Sequence, residues 1–128
     1  LIFYWPDTKI QSSGYITNST KINNAPIQSY ATAEIIPIAV TKLWHEMKDR
    51  QMQSFLVNTI HDSAIAELHP EEHEEWKCIA NNSFTEYVYY YLDKVYDDAF
   101  TVPLGTGIRI GANWSEGVEE SFDMMPGD

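Results

Sequence analysis

The sequence predicts an α+β fold: a small antiparallel sheet with a β-hairpin, packed against two long helices. Three observations predict it. Apolar residues recur every three to four positions in two stretches, 26–50 and 70–98, which is the helical period. Between them, Phe55–Ile60 and Ala64–Leu68 are apolar runs flanking the polar His61-Asp62-Ser63, the pattern of a hairpin spanning 54–68. After the second helical stretch, 102–114 contains the alternating Gly107-Ile108-Arg109-Ile110-Gly111, a short closing strand. The order hairpin, helix, hairpin, long helix, strand is that of an α+β fold, with helices packed on a small antiparallel sheet.

Residues 1–22 read as a loose extended hairpin. Phe3-Tyr4-Trp5 precedes the turn signal Pro6-Asp7, and Ser12-Ser13-Gly14 is a second turn before Tyr15-Ile16-Thr17, which has strand propensity. The first helix opens near Pro26, where the missing N–H costs nothing. Its apolar stripe runs Ile27, Ala31, Ile35, Ile38, Ala39, Leu43 and Met47. Pro37 falls inside it and is expected to kink or split the helix near Ile36. Lys48 and Arg50 suit its C-terminal end. The second helix starts at His69-Pro70-Glu71-Glu72, with a proline and acids in its first turn. Its predicted stripe is Trp76, Ala80, Phe84, Tyr87, Val88, Tyr91 and Val95. The Tyr87, Tyr89, Tyr90, Tyr91 cluster belongs to packing rather than to base stacking. The acidic tail from Glu119 reads as frayed.

The 128 residues suffice for one domain, and 44% hydrophobic content is enough for a core. No apolar run reaches the roughly 18 residues of a membrane span, and no signal peptide is visible, so no membrane partner is expected. The chain starts at Leu1, which reads as a piece of something longer. The single cysteine, Cys78, allows no internal disulfide and points to a reducing compartment, the cytoplasm. Without a secretion signal, the triplets at Asn18, Asn81 and Asn113 are chance matches to a glycosylation site. A net charge of −11 argues against nucleic-acid binding by the surface as a whole. Much of the acid is concentrated, however, in Glu71, Glu72, Glu74, Glu75, Asp93, Asp97 and Asp98, the expected solvent face of the second helix.

Asp62 sits at the tip of an otherwise apolar hairpin. Burying it unpaired would be costly, so it faces water, a cation or a metal. Carboxylate oxygen suits Mg²⁺, and strands hold a ligand more firmly than loops. One aspartate cannot by itself build a two-metal site, and aspartate is also an ordinary turn residue. His69 and His73 have the spacing of a zinc pair, but no third ligand is apparent.

Asn58-Thr59-Ile60-His61-Asp62-Ser63-Ala64-Ile65-Ala66-Glu67 resembles motif C of the family A (polymerase I-like) DNA polymerases, where a His-Asp pair lies at the tip of a palm hairpin. Asn24-Ala25-Pro26-Ile27-Gln28 resembles the family's Asn-x-Pro-x-Gln segment, which opens the preceding helix. Ile108-Arg109-Ile110-Gly111-Ala112-Asn113-Trp114 resembles the closing strand with its Gly-x-Asn-Trp-like end. The three occur in the family's order, and the opening stretch from Trp5 to Thr20 looks most like phage-encoded members.

The resemblance implies that residues 1–128 are the C-terminal part of a palm, adding deoxynucleoside triphosphates to a primer 3′ end. It implies Asp62 as a metal ligand, His61 beside the primer terminus, and Asn24 and Gln28 in the minor groove. It implies two Mg²⁺ ions shared with an upstream aspartate, primer–template DNA and dNTP as partners, and the remaining palm, fingers and thumb of a parent chain. The isolated chain is expected to be inactive, and a phage-encoded parent would work in the host cytoplasm. The sequence departs from the family's pattern at Ser63, where Glu is common, and at Thr20, where Arg is usual. The residues alone leave two other readings open. One is an acidic α+β binding module with no chemistry. The other is a His-Asp metal hydrolase, which needs further ligands near Asp62.

Overall fold

The computed structural model describes residues 5–124. The expectation for Phe3 and Tyr4, and that for the last residues of the tail, lie outside these. The helices are α1 (Ser19–Gln28), α2 (Ile36–Asp49), α3 (His73–Phe84) and α4 (Glu86–Tyr96). The strands are β1 (Phe55–Ile60), β2 (Ser63–Glu67), β3 (Leu104–Asn113) and β4 (Glu116–Met124). The architecture is α+β, with helices packed against small antiparallel sheets, β1–β2 and β3–β4.

The opening stretch is extended only as far as Thr17. Ile10 bridges Ile16, the Gln11 N–H donates to the Tyr15 carbonyl at 2.8 Å, and Gly14 turns at φ +81°. Helix α1 then begins at Ser19, so 19–22 are helical rather than extended and Pro26 is inside the helix rather than at its start. Pro26 gives no N–H to the Ile22 carbonyl, and α1 buries no residue.

The run is divided at Ile36, next to Pro37. A π-helical stretch, Ser29–Ile35, widens the backbone ahead of it, and the Thr32 hydroxyl donates to the Gln28 carbonyl at 2.6 Å. Helix α2 then restarts in α geometry at Ile36, so Pro37 lies in its first turn, where no donor is needed. From Ile35, one buried residue follows every four: Ala39, Leu43 and Met47.

The expected helix 70–98 is a 3₁₀ turn (Pro70–Glu72) followed by two helices that break at Thr85, with φ −122° and ψ −89°. The Ser83 and Thr85 hydroxyls donate back to the Ile79 and Asn81 carbonyls at 2.6 and 2.7 Å. Such back-bonding competes with the helical ladder and bends it. Beyond the break, Val88 of the predicted stripe is fully buried, but Leu92 is the next buried residue, while Val95, the end of that stripe, is exposed.

The predicted closing strand 102–114 is half of a second hairpin. β3 pairs with β4 through residue 124, so the tail from Glu119 is ordered strand up to there rather than frayed. Arg109 lies opposite Glu119, an opposite-charge pair that compensates part of the acid on β4. The Asn113 side-chain oxygen accepts from the Ser115 N–H and hydroxyl and from the Glu116 N–H at 3.0, 2.7 and 3.2 Å, closing the turn.

The core has two parts. Leu43, Met47, Trp76, Ile79, Ala80 and Ile108 form one, and Ile35, Ala39, Val88 and Leu92 the other. Phe84 packs against both. Among the described residues no helix is long and apolar enough to cross a membrane.

Candidate active site

The β1–β2 register pairs Ile60 with Ser63 and leaves His61 and Asp62 as the two tip residues. His61 takes φ +53°, a conformation residues with a Cβ adopt at some cost, and the tight turn enforces it. The Ser63 hydroxyl donates to the Ile60 carbonyl at 2.8 Å and braces the turn. Both tip side chains are exposed. A bulge between Leu56 and Asn58 shifts the register of β1 below the tip. Such bulges re-aim the side chains beyond them.

The Asp62 carboxylate makes no hydrogen bond or ion pair among the described residues, so its lone pairs face solvent. An unengaged carboxylate on a strand-held tip has the donor chemistry of a Mg²⁺ ligand. The described residues contain no group of three His, Cys, Asp or Glu placed to hold a metal. Asp62 therefore fits as one ligand of a site completed by water, phosphate oxygens or further protein.

Asn24 and Gln28 are one turn apart on the same face of α1, and both are exposed. Their amide groups face solvent from a helix that carries Lys21 and no acid. The structure thus brings His61 to Asp62, and Asn24 to Gln28, as two pairs. No hydrogen bond joins one pair to the other among the described residues.

The acids lie elsewhere. Glu71, Glu74, Glu75, Asp93, Asp97 and Asp98 are exposed on and around α3 and α4. Glu72 is the exception to the predicted solvent face. Its two oxygens accept from the Gln53 and Ser54 N–H groups at 2.8 Å each, and from the Ser54 hydroxyl at 2.5 Å. These bonds, the Ser54 hydroxyl foremost, hold the Glu72 carboxyl below the usual carboxylate range. Sequence reasoning passed over this contact. Its one signal was an acid in the turn ahead of α3, a place where carboxylates accept backbone N–H bonds. His69, extended at φ −69° and ψ 135°, lies outside that turn, so His69 and His73 do not share a helical face.

The tyrosines pack. The Tyr87 ring lies 6.0 and 6.1 Å from those of Tyr90 and Tyr91. The Tyr89 hydroxyl donates to the Val102 carbonyl at 3.0 Å and accepts from the Leu104 N–H at 2.7 Å, tying α4 to the start of β3.

Comparison with known proteins adds a family. The family model described as DNA polymerase family A matches residues 6–116. DNA polymerase I of Synechocystis sp. is 33% identical over 93 residues, covering 73% of this chain and 8% of that protein. DNA polymerase I of Borreliella burgdorferi is 30% identical over 113 residues, covering 84% of this chain and 11% of that protein. DNA polymerase I of Caldicellulosiruptor bescii is 29% identical over 93 residues. The chain spans about a tenth of the length of the curated relatives it matches. No solved structure matches it at a significant level.

Proposed function

The chain belongs to DNA polymerase family A, and from that premise we propose that it is the C-terminal part of a polymerase palm whose Asp62 is one of two catalytic metal-binding aspartates. The observation that carries this reading is an exposed, unengaged aspartate at the tip of an antiparallel hairpin, within a segment that matches the family.

The reaction is nucleotidyl transfer. The primer 3′-hydroxyl oxygen bonds to the α-phosphorus of a deoxynucleoside triphosphate as the bond to pyrophosphate breaks. Two Mg²⁺ ions, when bound, neutralise charge on the attacking and leaving oxygens. Asp62 supplies one carboxylate, and an aspartate in the rest of the parent chain supplies the other. His61, beside it on the tip, lies against the primer terminus. Asn24 and Gln28 present amides to the minor groove, whose acceptors occupy similar positions in every base pair, so geometry is checked without reading sequence. The net charge of −11 does not oppose this. The acids concentrate on and around α3 and α4, and α1 itself carries none. Cys78 is free, which fits a reducing cytoplasm. The remaining palm, fingers and thumb complete the enzyme, and the 128 residues alone carry no activity. A phage-encoded parent accords with the opening stretch.

The test is primer extension by the full-length protein with Mg²⁺, wild type against Asp62→Asn. The variant should lose on the order of 10²–10³-fold in kcat, as when a charge-stabilising group is removed from a transition state. Its affinity for primer–template should stay within about twofold, because one tip carboxylate contributes little to a contact dominated by phosphates. Extension at near wild-type rate would mean that the tip is only a turn.

A further inference from the structure

The foot of the β1–β2 hairpin is tied by a closed set of hydrogen bonds centred on two side chains. Ser54 immediately precedes β1 and is 5% exposed. Its hydroxyl donates to Glu72 at 2.5 Å and accepts the His69 N–H at 2.9 Å, so both of its functions are used. His69 follows β2 by two residues, so Ser54 joins the entry of the hairpin to its exit. Glu72 then holds the N–H groups of Gln53 and Ser54, which precede the β1 ladder and have no strand partner. Without Glu72 the N–H of buried Ser54 loses its partner, which costs more than the bond contributes when made, while the Gln53 N–H is open to water.

We propose that Ser54 and Glu72 are positioning residues that fix the foot of the hairpin and thereby set where Asp62 stands at its tip. The inference rests on the reading of Asp62 as a metal ligand. A six-residue strand is a lever of about 20 Å at about 3.3 Å per residue. A tilt of about 3° at the foot moves the tip of such a lever by about 1 Å, and a misplacement of that size can cost roughly 10²-fold in rate. Met52 and Leu68, on either side of the hairpin, pack against the core at its foot, so the rest of the restraint there is apolar and undirected. Phe55, Val57 and Ile60 of β1 are exposed, and Leu56 and Ala66 are its side chains against the core. The contact is also specific in chemistry. A carboxylate accepts on both oxygens, whereas a glutamine in its place offers one acceptor and turns two donors toward N–H groups that need acceptors.

The test compares Glu72→Gln, Ser54→Ala and Asp62→Asn in the full-length protein. The readouts are primer extension, Mg²⁺ half-saturation, primer–template Kd, and hydrogen exchange across residues 53–68. Glu72→Gln and Ser54→Ala should each lower kcat about 10-fold or more and raise the Mg²⁺ half-saturation about 10-fold, as supporting-shell changes do. Primer–template Kd should stay within about twofold, and exchange should quicken across the hairpin. Glu72→Asp, which keeps the charge on a shorter arm, should recover part of both losses. A merely structural role would lower stability and leave the Mg²⁺ dependence unmoved, and that result overturns the proposal. Should Glu72→Gln lose the fold, Ser54→Ala, which leaves Glu72 bonded to both N–H groups, decides by the same criteria. Loss of extension in Asp62→Asn with unchanged kcat in the other two sinks the positioning role alone. Unchanged extension in Asp62→Asn sinks the reading of Asp62 on which it stands.

Discussion

At the scale of single residues, most of what matters is contact between groups far apart in the chain. The Tyr30 hydroxyl donates to Asp98 at 2.8 Å, and the Tyr96 hydroxyl donates to Glu34 at 3.0 Å, so two tyrosine–carboxylate bonds tie the π-helical stretch to the end of α4. Burial first, and then the bond and charge of Asp98, push the Tyr30 hydroxyl up to about 12. The fold therefore favours the neutral phenol. Its contribution to stability is complete below the ordinary value of 10.0 and is lost as pH rises through about 12. Tyr30→Phe should cost about 1 kcal/mol at neutral pH, the worth of one hydrogen bond. It should also flatten the loss of stability between pH 10 and 12. Unfolding midpoints across that range, with phenolate absorbance as a second readout, check both. An unchanged alkaline slope would mean that the contact does not form. Asp98 reads in the sequence as one more solvated acid, because nothing local marks a partner 68 residues away.

Elements are shaped by where backbone groups must meet. At Gly111, in the irregular stretch of β3 between Ile110 and Asn113, an added Cβ would lie 1.7 Å from the Glu116 carbonyl oxygen and 2.8 Å from the Gly117 Cα. Both obstacles are backbone and cannot swing aside. Gly111→Ala should therefore open the end of the β3–β4 hairpin at a cost on the order of 3 kcal/mol, the upper part of the usual range for overpacking. That corresponds to a fall of on the order of 10 °C in Tm. Thermal unfolding by circular dichroism measures it, and a loss below about 1 kcal/mol would rule out this close approach. The glycine was legible as part of a recognisable Gly-x-Asn-Trp-like segment, but its physical reason was not. That reason is the strand β4, whose acidic sequence carries no clear alternation. The π-helical stretch teaches the same point in reverse: Pro37 announced a disturbance near Ile36, and only the backbone shows that a wide π-helical stretch, Ser29–Ile35, precedes it.

For the molecule as a whole, the two halves of the core communicate through Phe84. Its ring packs against the Leu43–Trp76–Ile108 group and against the Ile35–Val88–Leu92 group, at the last residue of α3 before the break at Thr85. Phe84→Ala should cost about 3 kcal/mol, the low end of the range for aromatic truncation, because Phe84 is half-buried. It should also broaden the denaturation curve, since removing the shared side chain lowers the cooperativity between the halves. Urea unfolding followed separately by tryptophan fluorescence, to which buried Trp76 contributes beside Trp5, Trp44 and Trp114, and by far-ultraviolet circular dichroism tests this. Coincident curves with an unchanged slope would show that the halves unfold together without Phe84.

What the sequence by itself determined is what local pattern encodes. It determined the helical periods around Leu43 and Trp76, the hairpin with a polar His61-Asp62 tip, and the ordered set of motifs that places the chain in its family. What only the tertiary structure decided is where those patterns stop and what they touch. That includes the break at Thr85, beyond which Leu92 rather than Val95 is buried, the second strand of the closing hairpin, and the bond from Ser54 to Glu72 across 18 residues. The physical reason is range. Periodicity and propensity act over a turn of helix or a few residues of strand, so they show in neighbouring letters. A hydrogen bond across 18 or 68 residues exists only once packing has brought its donor and acceptor together.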